Sequence, residues 1–215
     1  FISNRLLLSF GIRTDMNSFT TNGNNPIETL SPRFSFSYTF APKLDITGSV
    51  GRYFKIPIYT NLGFRNEFNE LVNRDMKYIQ SDHIALGFQF LPKESTRLTV
   101  EGFYKFYSNY PVSVRTGISQ ANQGAQFTSV GNEEVVSIGK GETYGVEIFY
   151  QQKLVKNLFY TASATVYRSL FSGRDGKLIA SSWDFGYLVS ATLCRKFKGG
   201  WEMGLKYRLA GGAPY

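Results

Sequence analysis

The sequence predicts an all-β protein: a transmembrane antiparallel up-and-down β-barrel, of which residues 1–215 form one partial barrel domain. Three observations predict it. Apolar and polar side chains alternate with a period of two through about nine segments. Each segment is about ten residues long, the length at which a tilted strand crosses a bilayer core, against roughly five or six in soluble proteins. The connections alternate short and long, the pattern of barrels with brief periplasmic turns and extended outer loops.

The segments follow in order. In 6–15, Leu6, Leu8, Phe10 and Ile12 oppose Ser9, Gly11, Arg13 and Asp15; in 33–40, Phe34, Phe36, Tyr38 and Phe40 oppose Arg33, Ser35, Ser37 and Thr39. Leu44, Ile46 and Val50 face away from Asp45, Thr47 and Ser49, and Ile84, Leu86, Phe88 and Phe90 from His83, Ala85, Gly87 and Gln89. The fifth and sixth set Leu98, Val100, Tyr104 and Phe106 against Arg97, Thr99, Glu101 and Lys105, and Tyr144, Val146, Ile148 and Tyr150 against Thr143, Gly145, Glu147 and Gln151. The last three cover 158–166, 187–194 and 201–209, the ninth placing Glu202, Lys206 and Arg208 opposite Trp201, Met203, Leu205 and Leu209. Tight turns are expected at 41–43, 91–95, 155–157 and 197–200, and long links at 16–29, 54–77, 108–140 and 168–182. Phe40, Phe90, Tyr150, Phe159, Phe197 and Trp201 flank the short turns, where an interfacial girdle belongs.

Composition narrows the function classes. Aromatics make up 16%, with 19 Phe and 14 Tyr, a strand-rich signature. No run of about 18 apolar residues exists, so no transmembrane helix is predicted. One His and one Cys supply too few ligands for a structural zinc site, and neither metal nor cofactor is expected. The chain opens at Phe1 without an initiator Met or a signal-peptide pattern, so the natural chain is expected to begin upstream. The charge of +8 is scattered over one strand face and the loops, not gathered in a stripe or tail. That argues against nucleic acid and for anionic solutes or lipopolysaccharide phosphates at the outer rim.

The fragments of chemistry read as structural. Ser81-Asp82-His83 cannot converge as a hydrolytic triad, because adjacent strand residues point to opposite faces. Glu133-Glu134 reads as a solvated loop charge, and Gly139-Lys140-Gly141 lacks the spacing of a phosphate loop. Cys194 reads as a small space-filler, and no catalytic residue or enzymatic activity is expected. Two aromatic, Pro-bearing stretches, 54–59 and 107–114, are open to two readings: a ligand-catching vestibule or an outer interfacial belt. The candidate contacts are therefore lumen-facing Arg13, Arg33, Arg97, Glu101, Lys105, Glu147, Glu202, Lys206 and Arg208, for a plug or solute, and Tyr59, Phe64 and Tyr110 for capture at the mouth.

Several strings resemble one family. Ser31-Pro32-Arg33-Phe34-Ser35, Gly51-Arg52-Tyr53-Phe54 running to Pro57, Thr143-Tyr144-Gly145-Val146-Glu147, Trp183-Asp184, and Ala210-Gly211-Gly212-Ala213-Pro214-Tyr215 resemble, in this order, strand and loop openings of TonB-dependent transporter barrels. The resemblance implies a barrel of about 22 strands in a bacterial outer membrane, of which roughly nine are here. It also implies a plug domain of the same chain, import of a scarce large solute (metal chelate, vitamin or oligosaccharide), and drive from an inner-membrane energy-coupling complex. A plug-free diffusion porin, a barrel enzyme and a soluble β-sandwich binding module are the other classes weighed.

Overall fold

The computed structural model describes residues 5–124 and 130–214. The alternating segments form β1 (Leu6–Arg13), β2 (Ser31–Ala41), β3 (Leu44–Lys55), β4 (Ile79–Lys93), β5 (Thr96–Ser113), β6 (Val135–Val155), β7 (Leu158–Ser172), β9 (Tyr187–Lys196) and β10 (Glu202–Ala210). A three-residue β8 (Leu178–Ala180), a one-turn helix α1 (Tyr59–Leu62) and a 3-10 turn (Gln120–Asn122) lie in the long links. Among the described residues every strand pair is antiparallel and neighbours in sequence are neighbours in space, except that β9 pairs with β7 past β8. β1 and β10 are each paired on one side, so the sheet is an open wall.

The hairpins at one end are tight. Lys156 and Asn157 both take positive φ, 50° and 64°, the two-residue turn whose twist matches that of the flanking strands. At the other end the strands run on. β5 has 18 residues and β6 has 21, against the roughly ten that span a bilayer core, so the link expected over 108–140 shortens to 114–134. The alternation fades there because both faces of the extension meet water or loops, and the lipid constraint on one face is gone.

The faces separate as expected. Outward on β6 stand Tyr150, Ile148, Val146 and Tyr144, bounded by Gln152 below and Glu142 above. Tyr150 stacks on Tyr160 toward the short-turn end and Tyr144 on Tyr104 toward the loop end, two aromatic girdles about 15 Å apart along the barrel axis at roughly 40° of strand tilt. No second protein layer covers this band among the described residues: Phe88 is 53% exposed, Val146 49% and Met203 69%. The buried hydrophobic side chains are instead Leu62, Met76, Val112, Ala121, Val135 and Phe171, all at the loop end. A soluble sandwich would bury the band itself. Here lipid supplies the missing layer.

Candidate functional site

The polar face is concave. Glu101 on β5 and Ser9 on β1 line one hollow of about 260 Å³ although three strands lie between β1 and β5. A second hollow of about 550 Å³ runs from Ser49 and Tyr53 on β3, past His83, Glu101, Lys105 and Glu147, to Tyr167 and Trp183. The wall curls because some inner positions carry no side chain. At Gly145 a Cβ would lie 2.4 Å from the Val166 carbonyl oxygen, so the β6–β7 approach requires glycine.

Charge is ordered along this face. Toward the mouth, Arg33, Gly51, His83, Lys105 and Thr143 occupy one cross-strand row. The Arg33 guanidinium lies 4.3 Å from the Tyr53 ring centroid, Tyr53 packs on His83 at 4.5 Å, and His83 Nε2 shares a 2.6 Å hydrogen bond with Ser81 Oγ. Arg33 Nε is buried with no hydrogen-bond partner among the described residues. Four residues below Lys105 on β5, Glu101 sits directly opposite Glu147. The Glu147 carboxylate accepts from Thr165 Oγ1 at 3.1 Å, and neither Glu has a Lys or Arg within ion-pair reach among the described residues. Two like charges directly opposed across a ladder repel.

The mouth is packed rather than loose. Asn61 and Gln120, 0% and 8% exposed, exchange both amide hydrogen bonds at 2.7 and 2.8 Å, joining the β3–β4 and β5–β6 links. Asn73 Nδ2 donates to the carbonyls of Asn61 and Glu133, and its Oδ1 accepts from the Val135 N–H. Leu62, Met76, Val135 and Ile56 form a small apolar core beneath them. The β7–β9 link joins through Asn122 Nδ2 to the Ala180 carbonyl and Ser182 Oγ to the Gln123 carbonyl. The β1–β2 link joins through Asn17 Nδ2 to the Tyr78 hydroxyl and Thr21 Oγ1 to Asp75.

The positions expected from sequence sort as follows. Arg33, Arg97, Glu101, Lys105 and Glu147 share the concave face, as do Arg13 on β1 and Lys206 and Arg208 on β10. Arg13 is paired with Asp15 at 2.6 Å, and Glu202 with Lys196 at 2.7 Å near a short turn. Tyr59 is 80% exposed on α1 and Phe64 is half-buried after it. Tyr110, expected in the loop, belongs to the extramembrane extension of β5. Asn109, at φ 58°, marks a bulge that sets three steps of β5, from Tyr107 to Tyr110, against two steps of β6. Tyr107 and Tyr110 therefore both pack on Phe171, at 5.0 and 4.7 Å, and burial pushes the Tyr110 phenol above its ordinary range. A hollow of about 340 Å³ between Ile58, Tyr110, Pro111 and Trp183 joins the two aromatic stretches.

Two readings change. Glu133 is no solvated charge: its side chain is 19% exposed and accepts from Ser113 Oγ at 2.6 Å, fastening the β5–β6 link. Tyr53, His83, Tyr167 and Trp183 also line the wall. Counting by twos beyond the cleanest stretches finds the first three; Trp183 sits in a loop and carries no such signal. Asp82 faces outward and pairs with Arg52 at 2.7 and 3.0 Å, away from Ser81 and His83, so the three form no triad. Cys194 lies opposite Gly204, 3.6 Å from where its Cβ would stand.

The model of the family described as TonB dependent receptor-like, beta-barrel matches residues 1–215. Among solved structures, the siderophore receptor PirA from Pseudomonas aeruginosa matches with a TM-score of 0.63 at 18% identity over 99% of this chain and 38% of its own. The ferric-catecholate import receptor Fiu from K12 E. coli matches at 0.63 and 13%, over 96% of this chain and 32% of Fiu. The FrpB iron transporter from Neisseria meningitidis matches at 0.60 and 16%, over 96% of this chain and 31% of FrpB. This chain thus spans between about a third and two fifths of these proteins. No curated protein sequence matches it.

Proposed function

Because the chain belongs to the TonB-dependent receptor β-barrel family and lies in the bacterial outer membrane, we propose that it walls an energised importer of a large scarce solute. The observation that supports this reading is the Glu101–Glu147 pair, opposed on the concave face with no Lys or Arg in ion-pair reach among the described residues. A water-filled pore could leave such a pair hydrated. A wall that seats a plug domain instead presents it to a cationic side chain, where the low local dielectric makes the contact strong. Arg33 and Lys105 nearer the mouth would meet anionic groups of plug or solute, and the packed loops with Tyr59, Tyr110 and Trp183 would receive the solute first. The three similar structures are named as a siderophore receptor, a ferric-catecholate import receptor and an iron transporter, which makes ferric chelates the first solutes to try.

The test is uptake of iron-59 chelates by cells whose only such transporter is the full-length protein. Saturable uptake abolished by a protonophore supports an energised importer. Linear, protonophore-insensitive permeation of small sugars, with open-pore conductance in planar bilayers, would replace it with a diffusion pore.

A further inference from the structure

The charge of the wall is sorted by end. The long links, 14–30, 56–78, 114–134 and 173–186, hold six Lys and Arg against nine Asp and Glu. The four short turns with the strand ends that carry them, 41–43, 91–95, 153–157 and 195–200, hold seven Lys and Arg against Glu94 alone. The positive excess therefore sits at the short-turn rim, where the turns face the periplasm and the strands meet the inner leaflet.

It gathers most closely at one corner. The Lys196 N–H donates to the Asn157 carbonyl at 2.9 Å, so the β6–β7 and β9–β10 turns lie side by side. Lys156 takes φ 50° at the tip of the first. The second closes as the Phe197 N–H donates to the Trp201 carbonyl at 2.8 Å, with Gly199 and Gly200 at φ 94° and 84°, and displays Lys198. Arg195 stands beside both turns, paired with Leu158 on one side and Met203 on the other, which puts it on the outward face. Along β9 that face runs Tyr187, Val189, Ala191 and Leu193, and Arg195 is its first charge, where hydrocarbon gives way to headgroups. Lys196 takes up Glu202 at 2.7 Å, and among the described residues Lys156, Arg195 and Lys198 have no carboxylate within ion-pair distance. All three are exposed. Their surroundings are apolar: the Arg195 guanidinium lies 5.0 Å from the Phe197 ring centroid, and Phe197 and Met203 are 41% and 69% exposed. A guanidinium over an aromatic ring keeps its N–H edge for a phosphate.

We propose that this corner binds an anionic phospholipid of the inner leaflet, with Lys156, Arg195 and Lys198 on its phosphate and Leu158, Phe197 and Met203 along its acyl chains. Charge complementarity and place select the occupant. A soluble anion would leave the apolar side chains uncovered. A zwitterionic phospholipid carries its own cation, which competes for the phosphate and repels the three side chains. A plug would fill the other face of the wall. The inference goes beyond the transport reading and rests only on the barrel lying in the outer membrane with its short turns periplasmic.

The test uses the full-length protein in detergent micelles, titrated with phosphatidylglycerol and read by native mass spectrometry. A cation at headgroup level contributes about fivefold to the attraction for anionic lipid, so Arg195→Gln/Lys198→Gln should bind on the order of twentyfold more weakly. Lys156 is left in place because its positive φ shapes its turn. Arg65→Gln/Lys77→Gln, which takes as much charge from the long β3–β4 link, should bind as the parent does. The unaltered protein should prefer phosphatidylglycerol to phosphatidylethanolamine of the same acyl chains by a similar factor, a comparison that needs no mutant to fold. Equal binding of the two lipids, or of phosphatidylglycerol by parent and corner variant, would overturn the proposal. So would equal weakening by the loop variant, or full competition by millimolar glycerol phosphate. Iron uptake measured in parallel reports on the transport reading separately.

Discussion

Glu101 and Glu147 face each other across the β5–β6 ladder, and the nearest cations along β5, Arg97 and Lys105, each stand four residues away, Lys105 over the Phe103 ring at 5.2 Å. The sign of a mutation here depends on what fills the lumen. In a barrel stripped of its plug, Glu101→Gln should stabilise by about 0.2–1 kcal/mol by removing repulsion. In the full-length protein, with a plug cation seated on the pair as proposed, the same change should destabilise, because it would strip that cation of a partner. Urea unfolding of both forms in vesicles measures the pair. Stabilisation in both forms would argue that no plug cation reaches the pair.

Val146 lies between the two tyrosine girdles on the outward face, two residues from Tyr144 and four from Tyr150. Val146→Arg should cost up to about 2–4 kcal/mol in vesicles, the range reached by a cation deep in the lipid-facing band. The neighbouring inward change Glu147→Gln should cost far less, so the two together locate the lipid.

Gly145 and Gly204 are both inner-face glycines with different surroundings. Gly145→Ala drives its Cβ to 2.4 Å from a backbone oxygen that cannot rotate away, and should cost about 1–3 kcal/mol. Gly204→Ala meets only Cys194 Sγ at 3.6 Å and should be nearly neutral. Thermal shifts of heat-modifiable gel mobility report both.

The amide exchange between Asn61 and Gln120 holds two loops whose residues lie 59 apart in sequence. Asn61→Ala leaves the Gln120 amide buried without its partner and should cost about 1–3 kcal/mol. The cost should appear locally, as faster amide hydrogen exchange in 56–78 and 114–134, with β4 and β6 within the bilayer unchanged.

These contrasts mark what the sequence carries. Where lipid meets one face and water the other, each residue's polarity reports its direction, and the nine long strands, their faces and their short turns can be read off directly. Above the loop-side girdle that pressure ends. The upper halves of β5 and β6, the bulge at Asn109 and three-residue β8 leave no periodic trace, which is why Tyr110 reads as loop. Arg33, Glu101, Lys105 and Glu147 were legible because charge on the apolar face would be prohibitive, so parity alone places them inside. Trp183, Phe171 and the Asn61–Gln120 pair depend on contacts between distant links, and nothing in their neighbours in sequence announces a partner. Glu133 was misplaced for the same reason: its partner Ser113 lies across the base of its link, 20 residues away.

The chain's two tryptophans stand at opposite ends of the wall. Trp183, 61% exposed, lines the hollow at the loop end, and its carbonyl accepts from the Tyr167 hydroxyl; Trp201, 77% exposed, follows the short turn into β10. The fold thus carries two native fluorescent probes, one in the aqueous mouth and one in the inner-leaflet interface. A paramagnetic ferric chelate entering from outside should darken the first, while brominated lipid should darken the second. Intrinsic emission can therefore register occupancy and bilayer contact at once without any label.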